Sequence, residues 1–244
     1  MSELASSFKS PTLPISEVFL SIQGEGKLSG VPSYFIRTSG CNLRCTWCDT
    51  PYASWSPEFT LRSIGDLCRG AVESGARHVV LTGGEPMMFP TIDLLAAGLR
   101  EAGMHITIET AGTLFRELPC DLMSISPKLS NSTPAVGDAR DPKGALRVMH
   151  EERRLNVEVL QRLIDAYPER QVKFVVSSPR DLGEIEKMLA KLVHWADDDV
   201  LLMPEGVTLP SAETKAWLVA ECTRRNWRYC QRLHIELFGN VRGT

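Results

Sequence analysis

Strand-like and helix-like segments alternate along this chain, and that alternation restricts the fold more than any other feature. Ile15–Ile22 alternates polar and apolar residues, and Val31–Arg37, the run from His78 into the glycine turn at Gly83, Met104–Thr110, Leu122–Lys128 with its polar exit, Val172–Val176 and Val200–Glu205 read as further strands. Between most of them, the stretches Thr60–Gly75, Ile92–Ala102, Val157–Tyr167, Leu182–Trp195 and Ala212–Arg225 carry apolar residues at helical spacing. Parallel neighbours in a sheet need crossover connections, so about six such repeats imply an α/β fold with a parallel sheet. The expectation is an incomplete parallel βα barrel of about six strands, with ligands at the C-terminal ends of the strands. Residues 1–14, rich in Ser and Pro, read as a flexible N-terminal arm, and 15–244 as a single domain. Within it, residues 129–155 break the rhythm with Ser, Asn, Pro, Gly and charge, as a loop or insertion able to cover a site would.

Most polar residues that follow the strands are ordinary, but Cys41-Asn42-Leu43-Arg44-Cys45-Thr46-Trp47-Cys48 is not. Three thiols within one loop can ligate a metal cluster, because thiolate sulfur is the soft ligand that iron–sulfur chemistry uses. With three cysteines, one iron of a [4Fe–4S] cluster stays open to another ligand. The spacing alone leaves two other readings open, a disulfide framework and a zinc knuckle completed by a distant residue such as His78 or Cys68. The remaining cysteines, Cys68, Cys120, Cys222 and Cys230, are scattered and suggest neither a second cluster nor a paired framework.

Composition narrows the partners. A net charge of −3 gives no electrostatic footprint for nucleic acid or an anionic membrane. No apolar run approaches the ~18 residues of a membrane span, and the first residues lack the apolar core of a secretory signal. A cytoplasmic protein acting on small molecules is expected.

Other loops carry chemistry of their own. Ile22-Gln23-Gly24-Glu25-Gly26 presents an amide and a carboxylate between flexible glycines, able to read the edge of a heterocycle or simply to turn in water. Asp49 and Thr50 offer hard oxygen ligands beside the cysteines, suited to Mg²⁺. Leu81-Thr82-Gly83-Gly84-Glu85-Pro86 reads as a buried strand entering a glycine turn.

The cysteine spacing together with Gly83-Gly84-Glu85-Pro86 resembles the radical S-adenosylmethionine (SAM) superfamily. The further stretches Phe19–Gly26, Arg37, Cys48-Asp49-Thr50 and the tail from His234 to Asn240 resemble the 7-carboxy-7-deazaguanine synthase family within it, from about residue 15 onward. The resemblance implies a carbon–nitrogen lyase that contracts the ring of 6-carboxy-5,6,7,8-tetrahydropterin with loss of ammonia, on the route to queuosine and other 7-deazapurines. It implies a [4Fe–4S] cluster on Cys41, Cys45 and Cys48, SAM that is regenerated, and Mg²⁺ on Thr50. SAM would lie along Trp47, Asp49, Gly84, Glu85, Ser126, Pro127, Lys128, Met203, Pro204 and Glu205. The substrate would meet Ile22, Gln23, Gly24, Glu25, Arg37, Thr82, His234 and Thr244, and no side chain is assigned a catalytic step of its own. The resemblance also implies a flavodoxin- or ferredoxin-like electron donor and a homodimer, for which Trp217, Trp227 and Tyr229 could serve as interface or as core. The rivals are a radical SAM activase of a glycyl-radical enzyme and a zinc-stabilised binding protein.

Overall fold

A computed structural model describes residues 10–244. Strand β1 (Thr12–Ile22) turns back antiparallel on β2 (Pro32–Thr38), and β3 (Thr60–Ser63) pairs antiparallel with the outer edge of β1. Beyond β2 the neighbours are all parallel: β4 (His78–Gly83), β5 (His105–Thr110), β6 (Leu122–Ile125), β7 (Arg170–Val176), β8 (Val200–Pro204) and the two-residue β9 (Arg228–Tyr229). The sheet is open, with β3 and β9 at its edges. The expected partial barrel of about six parallel strands is therefore present, with an antiparallel hairpin in front that a short connection permits and a crossover does not.

A single turn, α1 (Pro51–Ser54), follows the cysteine loop, and the crossovers carry the longer helices. Helix α2 (Ile64–Glu73) starts where Ser63 Oγ accepts the Asp66 N–H at 3.1 Å, and α5 (Val157–Ala166) where Asn156 does the same for Val159. Helix α7 (Ala212–Arg225) is capped by Ser211 and ends at Asn226 in the left-handed region. Helices α3 (Ile92–Glu101) and α6 (Asp181–Leu189) complete the layer. Leu67, Leu95, Leu99, Leu160, Ile164, Ile185 and Leu218 of these helices pack against Val79, Leu81, Ile106, Ile108, Phe174 and Leu202 of the strands in one core. Trp217, Trp227 and Tyr229 pack partly buried against that core.

Several expected boundaries move. The arm expected through residue 14 falls partly outside the described residues, and Thr12–Pro14 already belong to β1, paired with Leu61–Ser63. That edge pairing also takes Thr60–Ser63 away from the helix expected there. Helix α6 stops at Leu189 rather than Trp195, in a turn where His194 has positive φ. Residues 129–155 are not structureless: they hold α4 (Ala145–Arg153) and pack on the cysteine loop.

Because side chains alternate across a strand, one parity faces the helices and the other faces the concave side. Val79, Leu81, Ile106, Ile108, Val172 and Phe174 take the first role. The opposite parity gives Phe35 and Arg37, Thr82, Glu109, Ser124, Lys173 and Val175, and Met203, which all line one cavity.

Candidate active site

That cavity, about 470 Å³, opens at the C-terminal ends of the parallel strands and lies within the size range of small-molecule sites. On one side the cysteine loop forms its wall. Cys41, Cys45 and Cys48 all line it and none is in a disulfide. Burial pushes the Cys41 thiol up to about 12 and the Cys45 thiol higher still. The Leu43 N–H points at Cys41 Sγ at 3.4 Å, and Ser54 Oγ lies 3.1 Å from Cys48 Sγ.

Among the described residues no three His, Cys, Asp or Glu side chains converge closely enough to hold a single metal ion. A cluster asks for less convergence, since each thiolate binds a different iron, so the donor set suits a cluster better than one zinc. The distant ligands a zinc site would need are engaged elsewhere. Both ring nitrogens of His78 are bonded, to Ser33 Oγ and Thr107 Oγ1 at 2.7 Å each, and Cys68 packs under Gly98 of α3.

The loop itself is stitched down from two directions. Gly84 N and Glu85 N donate to the Thr38 and Gly40 carbonyls at 3.1 and 2.9 Å. A Cβ on Gly84 would sit 2.1 Å from the Gly40 carbonyl oxygen, so the glycine is required by backbone contact. From the other side, Ser132 O accepts the Thr46 N–H at 2.7 Å, and His150 Nδ1 accepts the Arg44 N–H at 3.0 Å. His150 is fully buried, and burial lowers its pKa to about 4, which keeps that nitrogen an acceptor. Arg140 lies over the Trp55 ring at 4.0 Å, and Trp55 Nε1 donates to the Cys45 carbonyl.

Next to the cysteines, Trp47, Ser126, Lys128 and Met203 form a second wall, with Lys128 Nζ on Ser126 Oγ at 2.7 Å and 5.7 Å from the Trp47 ring. Asp49, Thr50 and Gly84 also line the cavity. Four residues expected here do not. Glu85 is wholly buried, its carboxylate taken by Met87 N, Thr110 Oγ1 and Ala111 N, so it braces the glycine turn against β5. Pro127, Pro204 and Glu205, expected on the strength of the resemblance, are likewise not among the residues that line the cavity.

The far wall is polar and aromatic. Phe19 and Phe35 stack with centroids 4.8 Å apart, and Arg37 lies 5.8 Å from the Phe19 ring. Arg37 Nε donates to Glu17 at 2.7 Å; Tyr52 Oη and Arg242 Nε reach the same carboxylate. Glu109 accepts from Gln23 Nε2 at 3.1 Å and from Thr82 Oγ1 at 2.9 Å. Ile22, Gln23, Gly24, Glu25, Thr82, His234 and Thr244 all line this side. His234 sits on helix α8 (Leu233–Phe238), pressed so closely on Gly24 that a Cβ there would lie 2.0 Å from Nδ1.

Two basic residues at this wall carried no motif. Lys173 Nζ pairs with Glu25 Oε2, and Arg232 Nε lies 3.3 Å from Glu25 Oε1. Burial alone would push the Glu25 carboxyl up, but Lys173, Arg232 and His234 overcome it and hold it down at about 2. Inward parity on β7 was the one available signal for Lys173. Arg232 had none.

Comparison with known proteins agrees with this geometry. Residues 35–196 match the family model of the radical SAM superfamily. The chain is 50% identical to the 7-carboxy-7-deazaguanine synthase of Rhodopirellula baltica, over 96% of this chain and 89% of that one. It is 44% identical to the 7-carboxy-7-deazaguanine synthase of Halobacterium salinarum, over 96% and 93%. The crystal structure of QueE from Escherichia coli superposes with a TM-score of 0.67 at 28% identity, covering 91% of this chain and 95% of the other. An identity of 50% sustained over 96% of the chain exceeds anything that shared architecture alone produces, and the chain belongs to the 7-carboxy-7-deazaguanine synthase family of the radical SAM superfamily.

Proposed function

We propose that this protein converts 6-carboxy-5,6,7,8-tetrahydropterin to 7-carboxy-7-deazaguanine with loss of ammonia, a step toward queuosine and related 7-deazapurines. The observation that carries the reading is the pairing, within one cavity, of a three-cysteine wall with a carboxylate-rich, aromatic-backed wall. Glu25 and Glu109 are acceptors for the N–H edge of a pterin, and the Phe19–Phe35 stack offers a flat apolar flank. Arg37 spends its Nε on Glu17, and its two terminal nitrogens are free among the described residues to hold the substrate carboxylate in a fork.

Cys41, Cys45 and Cys48 would hold a [4Fe–4S] cluster, and Trp47, Asp49, Gly84, Ser126, Lys128 and Met203 would hold SAM. Bound there, cluster and SAM together would supply one-electron, hydrogen-abstracting radical chemistry toward the substrate. The protein's part is placement and exclusion of water. The walls described above must bring the reacting carbon within roughly 3–3.5 Å of its partner. Thr50 would contribute a hydroxyl to Mg²⁺, an ion that keeps much of its shell for water and ligand.

A flavodoxin- or ferredoxin-like donor, a homodimer and a cytoplasmic setting belong to the same proposal. Among the described residues no helix is long and apolar enough to cross a membrane. The test is anaerobic turnover of the iron-reconstituted protein with dithionite, SAM, Mg²⁺ and the carboxytetrahydropterin, read by mass spectrometry. A product lighter by ammonia with SAM unconsumed is expected; SAM cleavage that leaves the pterin intact would overturn the substrate.

A further inference from the structure

Arg232 reaches three separate parts of the site, and no motif pointed to it. Its Nη2 lies 3.1 Å from Asp49 Oδ2, on the residue that follows the last cluster cysteine. Its Nε lies 3.3 Å from Glu25 Oε1, at the pterin side. Its Nη1 donates to the Gly206 carbonyl in the loop after β8. The side chain is only 9% exposed and lines the cavity. One planar group thus spans three loops that leave three different strands.

The next two residues seat it. Leu233 N donates to the Gly24 carbonyl at 2.8 Å, and His234 closes on the Gly24 backbone. Three consecutive residues therefore grip the Gly24-Glu25 turn, and only the first of them continues across to the cysteine loop. The Nε contact is an ion contact without hydrogen-bond geometry, which leaves the Nε–H buried and unpartnered among the described residues. A buried donor without an acceptor costs free energy, and a ligand atom between Glu25 and Asp49 would supply one.

We infer that Arg232 is the positioning residue that holds the pterin-side loop and the cluster loop at a fixed spacing, so that hydrogen is taken from the substrate only when both halves are in register. This rests on the reaction proposed above. A guanidinium suits the task because its planar fork is rigid and presents separated N–H groups to two carboxylates at a fixed spacing, whereas an ammonium is a single point charge on a flexible stem. Loss of register should not stop SAM cleavage. It should separate cleavage from product formation, since misplacement by about 1 Å costs on the order of a hundredfold in a positioned reaction.

The experiment uses the iron-reconstituted protein carrying Arg232→Gln, with net 5′-deoxyadenosine released per deazaguanine product as the readout. A rise of roughly ten- to a hundredfold over the unsubstituted protein is expected, with the cluster absorbance and iron content retained. An unchanged ratio, or a parallel fall in both products, overturns the inference. If Arg232→Gln takes up less iron, Arg232→Lys carries the test: it keeps the positive charge and is expected to stay uncoupled, and a ratio equal to that of the unsubstituted protein overturns the inference. Product formation by the unsubstituted protein reports on the reaction itself, so the two failures are distinguishable.

Discussion

Lys173→Met removes the ammonium that faces Glu25 while keeping most of the side chain's length. The two partners are 7% and 14% exposed, so the substitution leaves a carboxylate largely cut off from water. Deleting one member of a buried pair costs roughly 3–5 kcal/mol, mostly the penalty on the orphaned charge. Arg232 stays 3.3 Å from the other carboxylate oxygen, which argues for the lower end, about 3 kcal/mol. For a chain of this size that corresponds to a fall in melting temperature of about 6–12 °C. Adding Glu25→Gln removes the stranded charge, so the double variant should regain about 2 kcal/mol of the loss. Activity should not return, because a neutral amide with one accepting oxygen replaces the charged, two-oxygen acceptor offered to the pterin edge. The assay is a double-mutant cycle by denaturant unfolding at equal iron content, with kcat/KM measured alongside. Effects that add to within about 0.5 kcal/mol would refute a buried, interacting pair.

Arg37→Ala should cut kcat/KM for the pterin by about ten- to a hundredfold, the worth of a charge-assisted bond, with the cluster spectrum intact; loss of the cluster would refute a substrate role. Thr50→Ala should weaken the dependence of turnover on Mg²⁺, and an unchanged dependence would remove Thr50 as a ligand. Burial and the neighbouring His105 lower the pKa of His78 from 6.5 to about 4, so the folded protein keeps the ring neutral while the unfolded chain takes up a proton as pH falls below 6.5. Stability contributed at this site is present above that pH and is lost progressively toward pH 4; unfolding midpoints of His78→Gln should decline less steeply across that window, and an equal slope would refute the assignment.

The parts of the site that lie close together in sequence were readable. Three cysteines within eight residues, the glycine turn after a buried strand, and the Gln23–Glu25 loop each concentrate chemistry locally, and each reaches the same cavity. The parts that depend on topology were not. Lys173 sits in an apolar run and reaches the cavity only because β7 places its parity against Glu25, across a sequence separation of 148 residues. Arg232 precedes a short helix with no pattern of its own. Glu85 looked like a rim residue because it follows a strand, yet the strand's exit turns inward and its carboxylate is consumed by backbone donors. His150 was hidden in a segment whose composition reads as loop, because what orders it is contact with the cysteine loop and not local propensity.

The hairpin in front of the sheet has a consequence for how the chain folds. Its turn and first strand are fastened to distant partners: Lys27 to Asp199, Gly26 N to Cys230 Sγ and Gly24 O to Leu233 N at the turn, and Glu17 of β1 to Arg242. Each of these closures joins residues more than 170 positions apart, and loop-closure entropy is spent before such contacts stabilise anything. During synthesis the cysteine loop leaves the ribosome well before the residues that fasten the turn, so the cavity is assembled last. The contacts that complete the cavity can therefore form only once residues near 230 have been made, whereas the cysteine loop is complete far earlier in the chain.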